Sequence, residues 1–246
     1  MARIDIVDDS VQLTDPTLVE GLPGVGLVGK ITVDHLVETF DMVHYGNVLC
    51  ESLPRVAVYE QDDRRLSPPV RLYADPDRDL LALQSDVPIA PPAAAEFATC
   101  VSSWQREHSA TPIYLSGMPV EKDEDTPSMY GVAAGDGGEL LDAAGIEQPS
   151  EAGLVSGPTG ALLHESIVND LTAVGLVVES DPQFPDPEAA RVLLKEGIEP
   201  LTDISIDLSE LVDHAEEIRK AKEQLAKRMQ EGSAEATQAQ PIRGYQ

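Results

Sequence analysis

The chain has 246 residues, enough for one large α/β core, and 44 acidic residues against 17 basic ones give it a formal net charge of −27. This excess is spread along the whole chain, and it excludes nucleic acids and anionic membrane surfaces as partners. Because concentrated salt screens such self-repulsion, the composition predicts a halophilic, cytoplasmic protein. No apolar run reaches the roughly 18 residues that a membrane-spanning helix needs.

The first third of the chain is predicted to begin with strands and one helix. Residues 3–7 alternate polar and apolar side chains, which is typical of an edge strand. Residues 18–21 form a buried strand that runs into a glycine-rich turn, and apolar side chains then recur at helical spacing over residues 27–41. Four further strands are predicted, at residues 42–50, 56–60, 70–74 and 80–84.

The remaining two thirds alternate helices with strands. Pro91 and Pro92 open a helix with one apolar face, and Gly145 ends a short second helix. Residues 154–155 are predicted to form a short strand that passes through a second glycine turn into another helix. Asp186 caps a helix that Gly197 is predicted to close. Buried strands are predicted at residues 112–117, 129–134 and 174–179.

Strands that alternate with helices in this way predict an α/β protein with a single three-layer α/β/α domain. Its sheet is expected to be mostly parallel and mixed at its edges. The domain spans residues 1–230 and includes a long C-terminal helix at 207–230. Residues 231–246 show no hydrophobic period, so a flexible C-terminal tail is predicted there.

The two glycine turns are the candidate ligand site. Gly24, Gly26 and Gly29 spell the dinucleotide fingerprint G-x-G-x-x-G, and Gly24 to Lys30 match a phosphate-binding loop except at Ile31, which cannot ligate magnesium. The structural alternative, a tight turn with close helix packing, is favoured. If both turns share one crevice at the edge of the sheet, their N–H groups suit a small anion, although an inert packing junction fits equally well. The candidate residues are Gly24, Val25, Gly26, Gly29, Lys30, Gly157, Thr159 and Gly160.

Other chemistry-bearing side chains form no recognisable set. The five histidines are scattered without metal-ligand spacing, and no nucleophile, base and orienting group occur together. Cys50 and Cys100 are predicted to be buried, inert thiols. The acidic residues 121–125 lack the glycine and the spacing of a calcium loop. The sequence therefore predicts no catalytic residue, no metal and no cofactor.

Three segments, in this order, resemble the archaeal proteasome assembly chaperone family. They are GLPGVGLVGK at residues 21–30, GPTGALL at 157–163, and DPEAA at 186–190, which DLSEL at 207–211 follows. The resemblance covers residues 17 to about 230. It implies a three-layer α/β/α fold, homo-oligomers and no established catalytic activity.

The resemblance also implies a partner. In some members of that family, a C-terminal hydrophobic-Tyr-any tripeptide binds the core proteasome by entering pockets between α-ring subunits. The last three residues here are Gly244, Tyr245 and Gln246, with glycine at the hydrophobic position. The sequence thus predicts a non-enzymatic, homo-oligomeric chaperone or adaptor that contacts proteasome α subunits. The alternative is an enzyme, consistent with the ATP-grasp-like label of some members, that binds a nucleotide or phosphometabolite between the Gly24 and Gly157 turns.

Overall fold

The computed structural model describes residues 3–59, 64–120, 126–209 and 211. One eight-stranded sheet organises this part of the chain. Its strands are β1 (Arg3–Ile6), β2 (Thr17–Gly21), β3 (Val43–Leu49), β4 (Val70–Asp75), β5 (Leu80–Ser85), β6 (Thr111–Pro119), β7 (Met129–Ala134) and β8 (Ala173–Ser180). The helices are α1 (Val28–Thr39), α2 (Pro91–Glu107), α3 (Gly137–Ala144), α4 (Gly157–Val168), α5 (Pro187–Val192) and α6 (Glu199–Thr202).

The sheet is parallel at its centre and antiparallel towards its edges. The strand order is β1-β3-β4-β5-β2-β6-β8-β7, and the pairs β5–β2, β2–β6 and β6–β8 are parallel. The other four pairs are antiparallel. The predicted α/β class with mixed edges is therefore confirmed, and β1 forms an edge as expected. With three of seven strand pairs parallel, however, the sheet is mixed overall rather than mostly parallel. Strand β2, which leads into the first glycine turn, lies between two parallel neighbours.

Helices cover both faces of the sheet and make three layers. Neighbouring residues of β2 point to opposite faces, so Leu18 joins the buried cluster that contains Phe97 of α2 and Leu162 of α4. Val19 joins the other buried cluster, to which α1, α3 and α5 contribute. Helices α1 to α5 bury apolar side chains against the sheet, which is the packing that gives this layered architecture its core.

Two predicted strands are wrong. In the described part of the 56–60 stretch, only an isolated bridge joins Val58 to Ser67; the prolines at 68 and 69 have no N–H with which to extend the pairing. Residues 154–155 are not a strand, and Leu154 is 86% exposed. Both neighbours of β6 and β8 are already other strands, so the sheet leaves no place beside them for a further strand.

The helix that begins after Asp186 continues beyond its predicted end. Asp186 caps it as expected, because its Oδ1 accepts the Ala189 N–H at 3.1 Å. Gly197, however, lies inside a π-helical segment, Leu193–Ile198, that continues into α6. A Cβ at Gly197 would lie 2.5 Å from the side chain of Leu176 in β8, so this glycine permits close packing on the sheet. The chain turns at Asp203, whose φ is 54°.

Two sequence predictions lie largely or wholly outside the described residues: the helix at 207–230 and the tail at 231–246. At the start of the former, the Ser209 N–H donates to Asp207 Oδ1 at 3.0 Å. Within the ranges that the structure describes, no helix is both long enough and apolar enough to cross a bilayer.

Candidate functional site

A crevice of about 630 Å³ lies at the carboxyl ends of the central parallel strands. The first glycine turn, which follows β2, forms one side of it, and the turn that opens α4 forms another. The ends of β6 and β7 and the loop before α4 complete the walls. The lining residues are Leu22, Pro23, Gly24, Val25, Val28, Gly29, Leu115, Ser116, Gly117, Met118, Pro119, Tyr130, Val132, Pro149, Glu151, Ala152, Gly153, Leu154, Val155, Ser156, Gly157, Pro158, Thr159 and Val177.

The structure brings five of the eight candidate turn residues to this crevice. Gly24, Val25, Gly29, Gly157 and Thr159 line it, as expected if the two turns face each other across the sheet edge. This is the edge at which open α/β sheets commonly bind ligands. The shared crevice is thus a property of the fold, although only the first of the two turns follows directly from a strand.

The other three candidate turn residues have packing or ion-pair contacts elsewhere. Gly26 has a φ of 60°, and its carbonyl accepts the Asp186 N–H at 2.8 Å. Lys30 pairs with Asp34 at 2.9 Å and with Asp86 at 3.4 Å. Gly160 lies so close to Val155 that a Cβ would meet the Val155 carbonyl oxygen at 2.4 Å. Gly244, Tyr245 and Gln246 lie outside the described residues.

The first turn is shaped by left-handed backbone conformations. Residues Val25–Leu27 form a short 3-10 turn in which the Leu27 N–H donates to the Gly24 carbonyl at 3.0 Å. Leu27 has a φ of 51°, which is uncommon for a residue with a branched apolar side chain. Gly24 itself is extended, with a φ of −143°, and a Cβ there would meet no atom within 4 Å. Of the three glycines in the G-x-G-x-x-G pattern, Gly24 is therefore the one whose packing leaves room for a side chain.

A buried carboxylate, Glu20, lies beside the crevice. Its side chain is 0% exposed; the Leu115 N–H donates to Oε2 and the Thr159 hydroxyl donates to Oε1, both at 3.0 Å. Burial raises the pKa of Glu20 to about 7, although hydrogen bonds from Leu115, Thr159 and Leu22 partly oppose that rise. This carboxylate joins β2, β6 and the first turn of α4 at the wall of the crevice.

Sequence reasoning missed Glu20. The available signal was an acidic residue in the strand Leu18-Val19-Glu20-Gly21, which is otherwise apolar and which the alternation of elements places in the sheet centre. A charged residue there must either reach solvent or find partners in the core. The partners come from residues 115 and 159, so only the tertiary structure identifies them.

The histidines and cysteines have structural contacts. His35 Nε2 lies 2.6 Å from the Asp207 carbonyl oxygen, and the ring of His108 stacks on Trp104 at 4.2 Å. In the portion of the chain that the structure describes, no three His, Cys, Asp or Glu residues form a possible metal site. Cys50 and Cys100 are half-buried rather than buried, and burial raises the pKa of both thiols, that of Cys100 to about 11. Residues 121–125 lie outside the described ranges.

Comparisons with known proteins agree with this fold. The PAC2 family model matches residues 18–226. An uncharacterized protein of Methanocaldococcus jannaschii, MJ0106, is 27% identical over 220 residues, which cover 88% of this chain and 87% of the relative. The crystal structure of Pyrococcus furiosus PbaA, an archaeal homolog of proteasome-assembly chaperone, has a TM-score of 0.80 and 24% identity, and the match covers 95% of this chain and 96% of PbaA.

A second solved structure gives the same result. Pyrococcus furiosus PbaB, described as an archaeal proteasome activator, matches with a TM-score of 0.78 and 19% identity over 92% of this chain and 98% of PbaB. Identities this low establish a shared fold only. The family model extends from β2 through the crevice and α5 and beyond Leu211. The resemblance seen in the sequence is thereby confirmed: the chain belongs to the PAC2 family.

Proposed function

We propose that this protein is a non-enzymatic, homo-oligomeric chaperone or adaptor that acts in proteasome assembly. The observation that carries the proposal is the match to the PAC2 family over residues 18–226. PbaA and PbaB, which share the fold, are described as a proteasome-assembly chaperone homolog and a proteasome activator. In this proposal residues 1–230 form the domain, and the tail, residues 231–246, offers Tyr245 to the α-ring.

Exposed apolar side chains support a role in protein–protein contact. In the connection between β3 and β4, of which the structure describes residues 50–59 and 64–69, Tyr59 is 76% exposed and Leu66 69%, and Val56 is also exposed. Several large exposed apolar side chains in one connection are typical of contact surfaces. Because the chain is strongly acidic, a partner or a second copy that binds here must tolerate or neutralise that charge. We propose self-association and α-subunit binding as the uses of such surfaces.

The Tyr245→Ala variant is expected to bind proteasome α subunits about tenfold more weakly than the wild type, because a tyrosine that fills a pocket is a frequent interface hot spot. Immobilised α subunits and surface plasmon resonance at high salt measure the difference. Gln240→Ala, which changes a residue of the same tail outside the last three positions, is the matched control. Equal binding by the Tyr245→Ala variant refutes the role of the tail, and failure of the wild type to bind refutes the partner.

We also propose that the protein is adapted to concentrated salt in the cytoplasm. Its melting temperature is expected to rise by several degrees between about 0.2 M and about 2 M KCl, because screening weakens the repulsion among 44 acidic side chains. Differential scanning fluorimetry measures the series. A second series at the same ionic strengths, with a salt of a larger cation, separates screening from specific K⁺ binding, because only screening is the same in both salts. A melting temperature that stays constant across the series contradicts the proposal.

A second candidate function is the binding of a small molecule in the crevice. Its volume lies within the range of known ligand sites, and five residues chosen from the glycine turns line it. An occupied site adds to the free energy of unfolding in proportion to the logarithm of ligand excess, so a thermal-shift screen in high salt detects a ligand. In this proposal the five lining residues contact the ligand, and Gly26, Lys30 and Gly160 hold the two turns in position around it.

A further inference from the structure

We propose that the crevice selects an apolar molecule carrying one positive charge, an alkylammonium or arylammonium compound, in place of the phosphate that the glycine motifs suggest. This inference rests on the second candidate function, because it names the ligand class of the same crevice. Three features carry it. The walls are apolar, two nearby hydrogen-bond donors are already bound to the buried carboxyl group of Glu20, and the charge that lines the crevice is negative.

The walls of the crevice favour an apolar body. Val25 and Val28 come from the first turn and α1, and Leu115 and Met118 come from β6. Leu154 is mostly exposed at the crevice, so it offers an apolar surface that a ligand would remove from water. Burial of such surface contributes about 25 cal/mol for each Å². A strongly hydrated phosphate would gain nothing from these walls.

Two hydrogen-bond donors near the crevice are already engaged by an internal carboxyl group. The Thr159 hydroxyl and the Leu115 N–H both donate to the carboxylate of Glu20. These donors lie at the first turn of α4 and in β6 just beyond its pairing with β2, where a phosphate bound between the two turns would seek partners. Glu20 therefore occupies part of the hydrogen-bonding capacity that this edge could offer an anion, whether or not its carboxyl group is ionised.

The charge that lines the crevice is negative. Among the described residues that line it, Glu151 is the one charged side chain. Lys30, the basic residue nearest to the first turn in sequence, pairs with Asp34 and Asp86 and does not line the crevice. In a protein with a net charge of −27, such a site attracts cations and repels anions, and its low-polarity walls strengthen that selection.

Two fluorescent probes that differ mainly in charge test the proposal on the full chain. Dansylcadaverine carries an ammonium group on an apolar body, and N-dansyl-6-aminohexanoic acid carries a carboxylate on a similar one. The cationic probe is expected to bind about tenfold tighter, measured by the increase in dansyl emission. The Glu151→Gln variant is expected to reduce this ratio about threefold. Gly24→Leu places a side chain in the crevice where a Cβ meets no atom within 4 Å, so both probes should bind at least tenfold more weakly.

Gly138→Leu is the matched control, because Gly138 has equally open space but does not line the crevice. This variant is expected to bind both probes like the wild type. If the carboxylate probe or inorganic phosphate binds as tightly as dansylcadaverine, the ligand class is wrong while the crevice remains a binding site. If neither probe binds, or if Gly24→Leu changes neither affinity, both the inference and the second candidate function are overturned.

Discussion

Replacing Glu20 with Gln is expected to raise the free energy of unfolding at pH 8 by about 3 kcal/mol relative to the wild type, and to change it little at pH 4. The buried carboxyl of the wild type loses its proton near pH 7, whereas in the unfolded chain it ionises near its ordinary pKa of 4.5. A glutamine side chain reproduces the shape of the neutral carboxyl and cannot ionise. The variant therefore avoids the cost of a buried charge that the wild type bears at alkaline pH.

The direction of this effect follows from proton counting. Between about pH 4.5 and pH 7 the folded state keeps a proton at Glu20 that the unfolded state has released. The unfolding free energy of the wild type consequently falls by about 1.4 kcal/mol for each pH unit in that window and is constant above it. The neighbouring phenol of Tyr114, whose pKa burial raises to about 12, keeps its proton throughout. The difference between variant and wild type thus isolates Glu20.

Two of the three hydrogen bonds that Glu20 accepts can be kept by the substituted side chain. In the Glu20→Gln variant, the new amide oxygen can accept the Leu115 N–H, and the Thr159 hydroxyl can rotate to accept from the amide nitrogen. Urea unfolding at pH 5 and pH 8 measures the difference, which should grow with pH. Glu147→Gln, which removes an exposed carboxylate, controls for the change in net charge. A Glu20→Gln variant that is less stable at pH 8 contradicts the account.

Local patterns explain why much of the fold was predictable. The change from a buried strand to helical spacing on either side of Pro23 locates β2 and α1, and the pair Asp186-Pro187 locates the start of α5. Each of these signals acts within a few residues. Asp186 caps its own helix, and the apolar stripe of α1 can be read from the residues of that helix alone.

The failures come from interactions between distant segments. Residues 154–155 have the composition of a strand, but β6 already pairs with β2 and β8, and β8 pairs with β6 and β7, so no position beside either strand is open to them. Gly197 has the composition of a helix end, yet its role is to admit the side chain of Leu176. The sheet order and the burial of Glu20 depend on contacts between residues up to 139 positions apart. The residues next to each of these positions in the sequence do not show which distant residues they contact.

The glycines of the first turn serve either packing or the crevice, and the sequence motif does not show which glycine serves which. A Cβ at Gly21 would lie 2.4 Å from Val33 Cβ and 2.7 Å from the Gly29 carbonyl oxygen. A Cβ at Gly26 would lie 1.8 Å from Ser180 Oγ, at a backbone φ of 60° that side chains rarely adopt. Gly24 has neither constraint and faces the crevice. Packing therefore requires glycine at 21 and 26, whereas a requirement for glycine at 24 can come only from the crevice.

The Gly21→Ala variant is consequently expected to lose roughly 3 kcal/mol of stability, because Val33 is fully buried and the opposing carbonyl belongs to a helix that cannot shift without disturbing the core. Gly24→Ala, three residues away, is expected to change the stability by less than about 0.5 kcal/mol. Urea unfolding at constant salt measures both. If Gly24→Ala weakens dansylcadaverine binding while leaving stability intact, the turn serves the crevice as well as the fold. Equal destabilisation by the two variants would show that the whole turn is a packing junction, and the case for a ligand at this sheet edge would then lose its structural basis.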